Sequence, residues 1–176
     1  MQNELLTWAG LDPLIDHLIG QIDREIDLIL MLNPGGLVVG GILVDALKVQ
    51  DAQIAKIACC REDRKIDPKY ASWPKIGAFP SDEDLDGKTV LIVASAWGTG
   101  RCISAVRGRV TGAGGEAFTA VLHYDPSRSI FSDAKPDYYA AVTSNWIVYP
   151  WEGARGTAAL QSSRALRRPP CRCARP

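Results

Sequence analysis

Residues 98–102 combine small, polar and charged side chains in a pattern that could hold an anion. They follow an apolar run at residues 90–93 and a short stretch of small residues. A buried strand that leads through such a turn into a helix presents backbone N–H groups and the positive helix end to a phosphate. The predicted phosphate-binding residues are Gly98, Thr99, Gly100, Arg101 and Cys102. An ordinary glycine-rich turn is the alternative, and a P-loop is excluded because no Gly-Lys-Ser/Thr run occurs.

Two other segments offer ligand contacts at predicted strand ends. The first follows the apolar run at residues 27–32 and consists of Asn33, Pro34, Gly35 and Gly36. Its two glycines permit a close approach of the backbone to a ligand. The second contains Trp146, whose indole ring could stack on a planar base. A simple turn and a core tryptophan are the corresponding structural alternatives.

The elements that position these segments alternate between helix and strand. Apolar residues at helical spacing predict a helix within residues 4–25, with Asp12-Pro13 as a possible start. Further helices are predicted at residues 37–47 and 100–110, and strands at 27–32, 52–60, 90–93, 117–122, 138–142 and 146–149. The long polar segment at residues 61–87 is typical of a functional or mobile loop. This alternation predicts a parallel α/β sheet whose ligands bind at the carboxyl ends of the strands.

The composition changes after Glu152. Residues 153–176 contain six of the 20 basic residues, all of them arginine, and no acidic residue, so residues 1–152 carry 14 basic and 20 acidic side chains. We therefore expect one domain at 1–152 and a basic, disordered tail at 153–176. The acidic body argues against a nucleic-acid partner. Without an apolar run of about 20 residues or a signal-peptide pattern, we expect no membrane association and a cytoplasmic location.

The cysteines and histidines carry weaker signals. Five cysteines, an odd number, fit a reducing compartment better than a disulfide framework. Cys171 and Cys173 lack the two further ligands that a zinc site needs. His123 lies in a predicted strand with no obvious carboxylate partner, so we expect a structural role for it.

Four motifs, in their order and spacing, resemble one known family. They are NPGGL near residue 35, VLIVASAWGTGR at 90–101, LHYDP at 122–126 and PDYYA…WIVYPWE at 136–152. Together they are similar to the type I phosphoribosyltransferases, in particular the short xanthine/guanine/hypoxanthine branch of bacteria and archaea, over about residues 6–152. The resemblance implies a phosphoribosyltransferase-like parallel sheet flanked by helices, with a flexible loop and a small hood. It also implies a homodimer or higher homo-oligomer, and Mg²⁺ as a cofactor.

The resemblance assigns roles to several matching positions. Residues 98–102 match the loop that holds the 5′-phosphate, and residues 33–36 match the pyrophosphate loop. Trp146 matches the aromatic residue that stacks on the purine, and Ile147 matches the residue whose backbone contacts the base edge. Glu152 matches an acid on the magnesium or pyrophosphate side.

The departures from the family pattern are concentrated at the reaction centre. Ala94 and Ser95 stand where two adjacent acids hold the ribose hydroxyls, and Gly98 stands where a third acid lies near the purine N7. Pro34 replaces a basic residue of the pyrophosphate loop. Each lost charge-assisted hydrogen bond removes about 1.5–3 kcal/mol. The sequence identifies no general base, so the catalytic residues are unknown.

Asp125 stands where the family has a lysine that donates to a 6-oxo group. A lysine only donates hydrogen bonds and a carboxylate only accepts them, so the matching base edge should carry an amino group. This substitution favours a 6-amino purine or an amino pyrimidine. Alternatively, Asp125 only stabilises a turn before Pro126, as Asp-Pro sequences often do.

Three functions remain open at the level of sequence. The first is an enzyme, a pentosyltransferase with an altered donor or reaction, that makes or breaks an N-glycosidic bond. Its partners would be a nucleotide, or a phosphorylated sugar and a nucleobase. The second is a catalytically inactive nucleotide-binding or regulatory protein, and the third is a nucleotide hydrolase.

Overall fold

A five-stranded parallel sheet forms the centre of the computed structural model, which describes residues 3–32, 34–58 and 73–153. The strands are β1 (Asn3–Leu5), β2 (Leu28–Leu32), β3 (Asp51–Ala55), β4 (Ile57–Ala58), β5 (Lys75–Ile76), β6 (Thr89–Trp97), β7 (Glu116–Tyr124), β8 (Tyr138–Val142) and β9 (Trp146–Val148). The helices are α1 (Trp8–Ile19), α2 (Gly36–Leu47), α3 (Asp82–Leu85), α4 (Arg101–Gly112) and α5 (Pro150–Gly153). The order in the central sheet is β3-β2-β6-β7-β8, with all neighbours parallel.

Helices cover both faces of this sheet because its strands are apolar on both sides. Leu91 and Val93 of β6 pack in one core cluster with residues of α1 and α2. Val90 and Ile92 of the same strand pack in a second cluster with residues of α4. The predicted parallel α/β fold is confirmed. Within the described residues, no helix is both long and apolar enough to cross a bilayer.

The first helix differs from its prediction. It begins at Trp8, where the side chain of the preceding Thr7 accepts a hydrogen bond from Gly10 N–H, so Asp12-Pro13 does not mark its start. Pro13 is the sixth residue of α1, where it has no N–H to donate to the carbonyl of Ala9, so the helix lacks one backbone hydrogen bond there. The residues before it form β1, which pairs with β9 in parallel and in register from Asn3–Trp146 to Leu5–Val148. We call β1 and β9 together the hood; the family resemblance implied a small hood, but the strand at Asn3–Leu5 was not predicted.

The long polar segment is partly ordered secondary structure. Residues 59–72 lie outside the described residues, but β5 pairs with β4, and the acidic run predicted as loop contains α3. Ser81 and Asp84 form a reciprocal capping box at the start of α3. The predicted tail also lies outside the described residues, apart from Gly153.

Candidate functional site

The predicted phosphate loop lies between the central strand β6 and helix α4. Strand β6 continues to Trp97, further than predicted, because Ala96 and Trp97 pair with His123 and Tyr124 of β7. Gly100 then adopts φ +80° and precedes the first residue of α4. A Cβ atom at Gly100 would lie 2.7 Å from Trp97 Nε1, so both its backbone angle and its close packing require glycine.

Arg101 is the first residue of α4, and it is 6% exposed. Its guanidinium carbon lies 5.9 Å from the ring centroid of Trp73. Its Nε forms no hydrogen bond, and within the described residues no carboxylate pairs with it. A buried cation next to a helix N-terminus provides a strong attraction for an anion.

Gly35 and Gly36 place the second predicted loop against β6. A Cβ atom on Gly35 would collide with Ser95 Oγ, and one on Gly36 would collide with the carbonyl oxygen of Val93. The glycines therefore serve the close packing of this loop on the strand. Pro34 is exposed, and Asn33 lies outside the described residues.

Ala94 and Ser95 make contacts within the protein. They stand where the family has two adjacent acids. Ala94 is buried in the apolar cluster on the α4 side of the sheet. The side chain of Ser95 contacts Gly35, and its carbonyl oxygen accepts a 2.7 Å hydrogen bond from Tyr149 Oη. Little room is left here for a carboxylate pair that could hold ribose hydroxyls.

Tyr149 connects Ser95 to His123 of β7. His123 Nδ1 lies 3.0 Å from Tyr149 Oη, whose single proton is donated to Ser95 O. The Nδ1 of His123 therefore carries a proton and donates to the tyrosine oxygen. Burial lowers the pKa of His123 and raises that of Tyr149, so both side chains are neutral near pH 7. This Ser95–Tyr149–His123 network was not predicted, because its members are far apart in the sequence.

Asp125 begins the segment at residues 125–131, which follows β7. Its Oδ1 accepts hydrogen bonds from Ser127 N at 3.1 Å and Ser127 Oγ at 2.6 Å, so it stabilises a turn. This is the structural alternative considered from the sequence. Its Oδ2 forms no hydrogen bond to another described residue, although the side chain is 6% exposed. One carboxylate oxygen thus remains an acceptor.

The 125–131 segment contacts both the phosphate loop and Trp146. Asp125 N–H donates to Trp97 O at 2.9 Å, and Ile130 N–H donates to Thr99 O at 3.3 Å. On the other side, the guanidinium carbon of Arg128 lies 5.6 Å from the ring centroid of Trp146. The predicted phosphate-binding and base-stacking positions therefore flank one short segment.

The hood fixes Trp146 and Ile147 on β9. Trp146 is half-buried and Ile147 is buried, and they pair with Asn3 and Glu4 of β1. Asn145 also donates to Glu4 through its side chain, at 3.3 Å. The sequence predicted a short strand here, but not the partner strand that holds it.

Glu152, the residue matched to an acid on the magnesium side, is bonded within the protein. Glu152 Oε2 accepts a hydrogen bond from Tyr149 N–H at 3.2 Å, at the start of α5. Among residues 3–32, 34–58 and 73–153, no cluster of three histidine, cysteine or acidic side chains could hold a metal. Magnesium therefore stays a prediction of the family resemblance, and no step below depends on it.

Cys102, the second residue of α4, forms a disulfide bond. The expectation that the cysteines are reduced is wrong at this position. The other four cysteines, Cys59, Cys60, Cys171 and Cys173, lie outside the described residues. The sequence gives no signal that could have indicated this bond, because spacing alone does not determine pairing.

Comparison with known proteins supports the fold. No family model matches the sequence, and no curated protein matches it either. The purine phosphoribosyltransferase from Pyrococcus horikoshii Ot3 is 27% identical, with a TM-score of 0.69 over 86% of this chain and 95% of that one. A hypothetical protein from Neisseria gonorrhoeae with bound ppGpp is 18% identical, with a TM-score of 0.73 over 93% and 97% of the two chains.

A third similar structure is the Helicobacter pylori xanthine-guanine-hypoxanthine phosphoribosyltransferase. It is 14% identical, with a TM-score of 0.70 over 89% of this chain and 98% of that one. The chain has the type I phosphoribosyltransferase-like fold, as its sequence motifs predicted.

Proposed function

We propose that this chain is a phosphoribosyltransferase-like enzyme that makes or breaks an N-glycosidic bond between a phosphorylated sugar and a nucleobase. The observation that carries the proposal is the 125–131 segment, which contacts Thr99 of the phosphate loop and Trp146 of the hood. A mononucleotide needs these two contacts, an anion site and an aromatic surface, a short distance apart. The similarity to three purine-related or nucleotide-bound structures agrees with this class.

The phosphate group is the best-supported part of the ligand. The turn at residues 98–100, the N-terminus of α4 and the buried Arg101 together supply several N–H donors and a positive charge. Such donors bind a phosphate by charge-assisted hydrogen bonds, each stronger than a neutral one.

The base is proposed to carry an amino group. Asp125 Oδ2 accepts hydrogen bonds but cannot donate them while the carboxylate is ionised. An exocyclic amino group of a 6-amino purine or an amino pyrimidine supplies the matching donor, whereas a 6-oxo group does not. Trp146 would hold the face of that base, with Arg128 over the same indole ring.

The sugar is proposed to differ from the ribose of ordinary phosphoribosyl pyrophosphate, or to be held without acidic residues. Ala94 is buried in an apolar cluster, and Ser95 is bonded to Tyr149. Rate enhancement in such a site would come mainly from holding phosphate and base in a productive arrangement, which alone is worth about 7–11 kcal/mol in well-oriented reactions.

A nucleotide-binding regulator is the second candidate. The absence of carboxylates at positions 94 and 95 favours it, because a regulator needs affinity and not turnover. One structural neighbour is a hypothetical protein with bound ppGpp, which shows that a protein of this fold binds such a nucleotide.

Product analysis and binding measurements test the proposal together. The full chain is incubated with AMP and with GMP, each with and without pyrophosphate as the acceptor of the sugar phosphate, and with adenine plus phosphoribosyl pyrophosphate, and the products are separated by chromatography. We expect AMP to bind more tightly than GMP, with turnover of a nucleotide or a base. Binding without any product would support the regulator, release of inorganic phosphate a hydrolase, and a clear preference for GMP would contradict the role of Asp125.

A matched pair of variants on α4 locates the binding. Arg101→Gln should weaken AMP binding by roughly 10–100-fold, since it removes a charged donor. Arg109→Gln is the control, because Arg109 lies on the same helix but pairs with Asp82 at the surface. Equal affinities of the two variants would place the nucleotide elsewhere.

A homodimer, a magnesium requirement, the 1–152 domain boundary and a cytoplasmic location belong to the same proposal.

A further inference from the structure

Two buried N–H groups beside the phosphate loop lack a hydrogen-bond acceptor. Within the described residues, Trp97 Nε1 and Arg101 Nε are the buried side-chain nitrogen or oxygen atoms without a partner. Trp97 is 1% exposed and Arg101 is 6% exposed. Both residues border the same three-residue turn, since Trp97 ends β6 and Arg101 begins α4.

Trp97 is held firmly in this position. Its indole packs against Gly100, where an added Cβ atom would lie 2.7 Å from Nε1, and it meets the Tyr124 ring edge-on at a centroid distance of 6.4 Å. Its backbone carbonyl accepts the N–H of Asp125. The indole N–H therefore lies at the underside of the turn and cannot swing to another acceptor without repacking this cluster.

The chemistry of the two groups defines the missing partner. An indole N–H and an arginine Nε–H only donate, so the partner must be an acceptor, and the guanidinium charge favours an anion. Most buried polar groups in native proteins have a hydrogen-bond partner, because an unpaired one destabilises the fold. A phosphate group, which has several acceptor oxygens, can accept from both residues and from the turn amides at once.

We propose that Trp97 is an anion-binding residue, and that its indole N–H and the Nε–H of Arg101 both donate to the phosphate group of the ligand. This inference rests on the proposed function for the position of that phosphate. Both nitrogens are closed off from water, so binding requires the turn at residues 98–100 to shift and admit the anion. Binding then depends on the phosphate more than on the sugar, whose usual acidic contacts are missing.

Nuclear magnetic resonance of the full chain tests the inference directly. The five tryptophans give five indole N–H signals, and Trp97→Phe identifies one of them by its loss. Titration with inorganic phosphate, with chloride at matched ionic strength as the reference, should move the Trp97 indole proton downfield more than the other four. Parallel titrations with ribose 5-phosphate and AMP should move the same signal, which would show that free and esterified phosphate share the site.

Affinities of variants provide the second measurement. Trp97→Phe keeps an aromatic ring but loses the N–H, and we expect phosphate to bind roughly tenfold more weakly, as for a hydrogen bond to a charged group. Trp8→Phe, at an exposed position of α1, should bind as the wild type does. Arg101→Lys keeps the charge but removes the Nε–H donor, and it should also weaken binding. Arg101→Lys replaces Trp97→Phe in this experiment if Trp97→Phe does not fold. In that case the Trp97 indole signal is assigned by elimination, by substituting each of the other four tryptophans.

The outcomes separate the inference from the proposed function. If phosphate binds and the Trp97 signal stays in place while Trp97→Phe retains its affinity, Trp97 is not a ligand and the proposed function stands. If phosphate, ribose 5-phosphate and AMP all fail to bind the wild-type chain, both are overturned.

Discussion

The phosphate side and the sugar side of the candidate site lie on the same strand, β6, and they differ in whether their polar groups are already bonded. At the phosphate side, Trp97 and Arg101 each have a buried N–H without an acceptor. At the sugar side, Ser95 O is bonded to Tyr149, which is bonded to His123, and Ala94 is buried among apolar residues. One end of the site retains capacity for a ligand, and the other is closed by the protein's own contacts.

This difference indicates whether the missing acidic residues of the family pattern could be restored by substitution. A substitution that restores the missing acids would have to open a packed region, so the loss is structural as well as chemical. The four variants below test this contrast, from the largest expected effect to the smallest.

The largest effect is expected for Ala94→Asp, which restores a family acid. Burying a carboxylate without a partner should destabilise the fold by about 3–5 kcal/mol, and the affinity for phosphoribosyl pyrophosphate should not rise above that of the wild type. Ala96→Asp, two residues later at an exposed position of the same strand, should change stability by less than about 0.5 kcal/mol. Urea unfolding and calorimetric titration measure both. A stable Ala94→Asp variant that binds the donor more tightly than the wild type would show that the sugar side is open.

Gly100→Ala tests the packing of the phosphate side. The left-handed backbone angle and the contact with Trp97 should together cost about 2 kcal/mol or more and abolish phosphate binding. Gly108→Ala is the control, because it lies in α4 with nothing within 4 Å of its added Cβ, and it should stabilise the chain by about 0.5–1 kcal/mol. Thermal unfolding and phosphate titration give both values. Unchanged binding by Gly100→Ala would remove the loop from the site.

Tyr149→Phe removes the hydroxyl group that connects Ser95 to His123 on the sugar side. Without the hydroxyl group, Ser95 O and His123 Nδ1 lose their partner, and we expect a loss of about 1–3 kcal/mol in unfolding free energy. Inorganic phosphate should bind as before. Tyr139→Phe is the control, since the Tyr139 hydroxyl makes no hydrogen bond within the described part of the chain. If Tyr149→Phe weakened phosphate binding as strongly as Trp97→Phe, the two sides would not be independent.

The smallest effect concerns pH. Burial lowers the pKa of His123 below its usual 6.5, so the unfolded chain binds a proton at a higher pH than the folded chain does. The stabilisation is complete above about pH 6.5 and is lost as the pH falls towards the folded-state pKa. His123→Gln should therefore lose less stability than the wild type between pH 7.5 and 5.5 in urea unfolding. His17→Gln, at an exposed position of α1, should keep the wild-type profile, and identical profiles for all three proteins would contradict the prediction.

Much of the fold could be predicted because its signals are local. The apolar run at residues 28–32, the helix after Gly35 and Gly36, and the turn at 98–100 are each specified by neighbouring residues. The end of β6 was missed because Ala94, Ser95 and Ala96 resemble a turn until β7 pairs beside them.

The contacts that separate the two sides of the site could not be predicted. Tyr149 meets Ser95 across 54 residues of sequence and His123 across 26, and neither separation has a pattern. The indole N–H of Trp97 lacks an acceptor because Gly100 packs directly against it. Residue types suggested which groups could act, but only their burial shows which of them still lack a partner.

The pairing of β1 with β9 has a consequence for how the chain matures. Its three-residue strands are separated by about 140 positions, so their contact closes a long loop, and we expect the hood to form after the central sheet. During synthesis β1 is made first, and the residues of the phosphate loop are in place before β9, the partner strand of β1, has been made. In hydrogen exchange, we expect a lower free energy of opening for the amides of residues 146–148 than for those of β6. The strand that carries the proposed base-stacking residue would then open before the central sheet does.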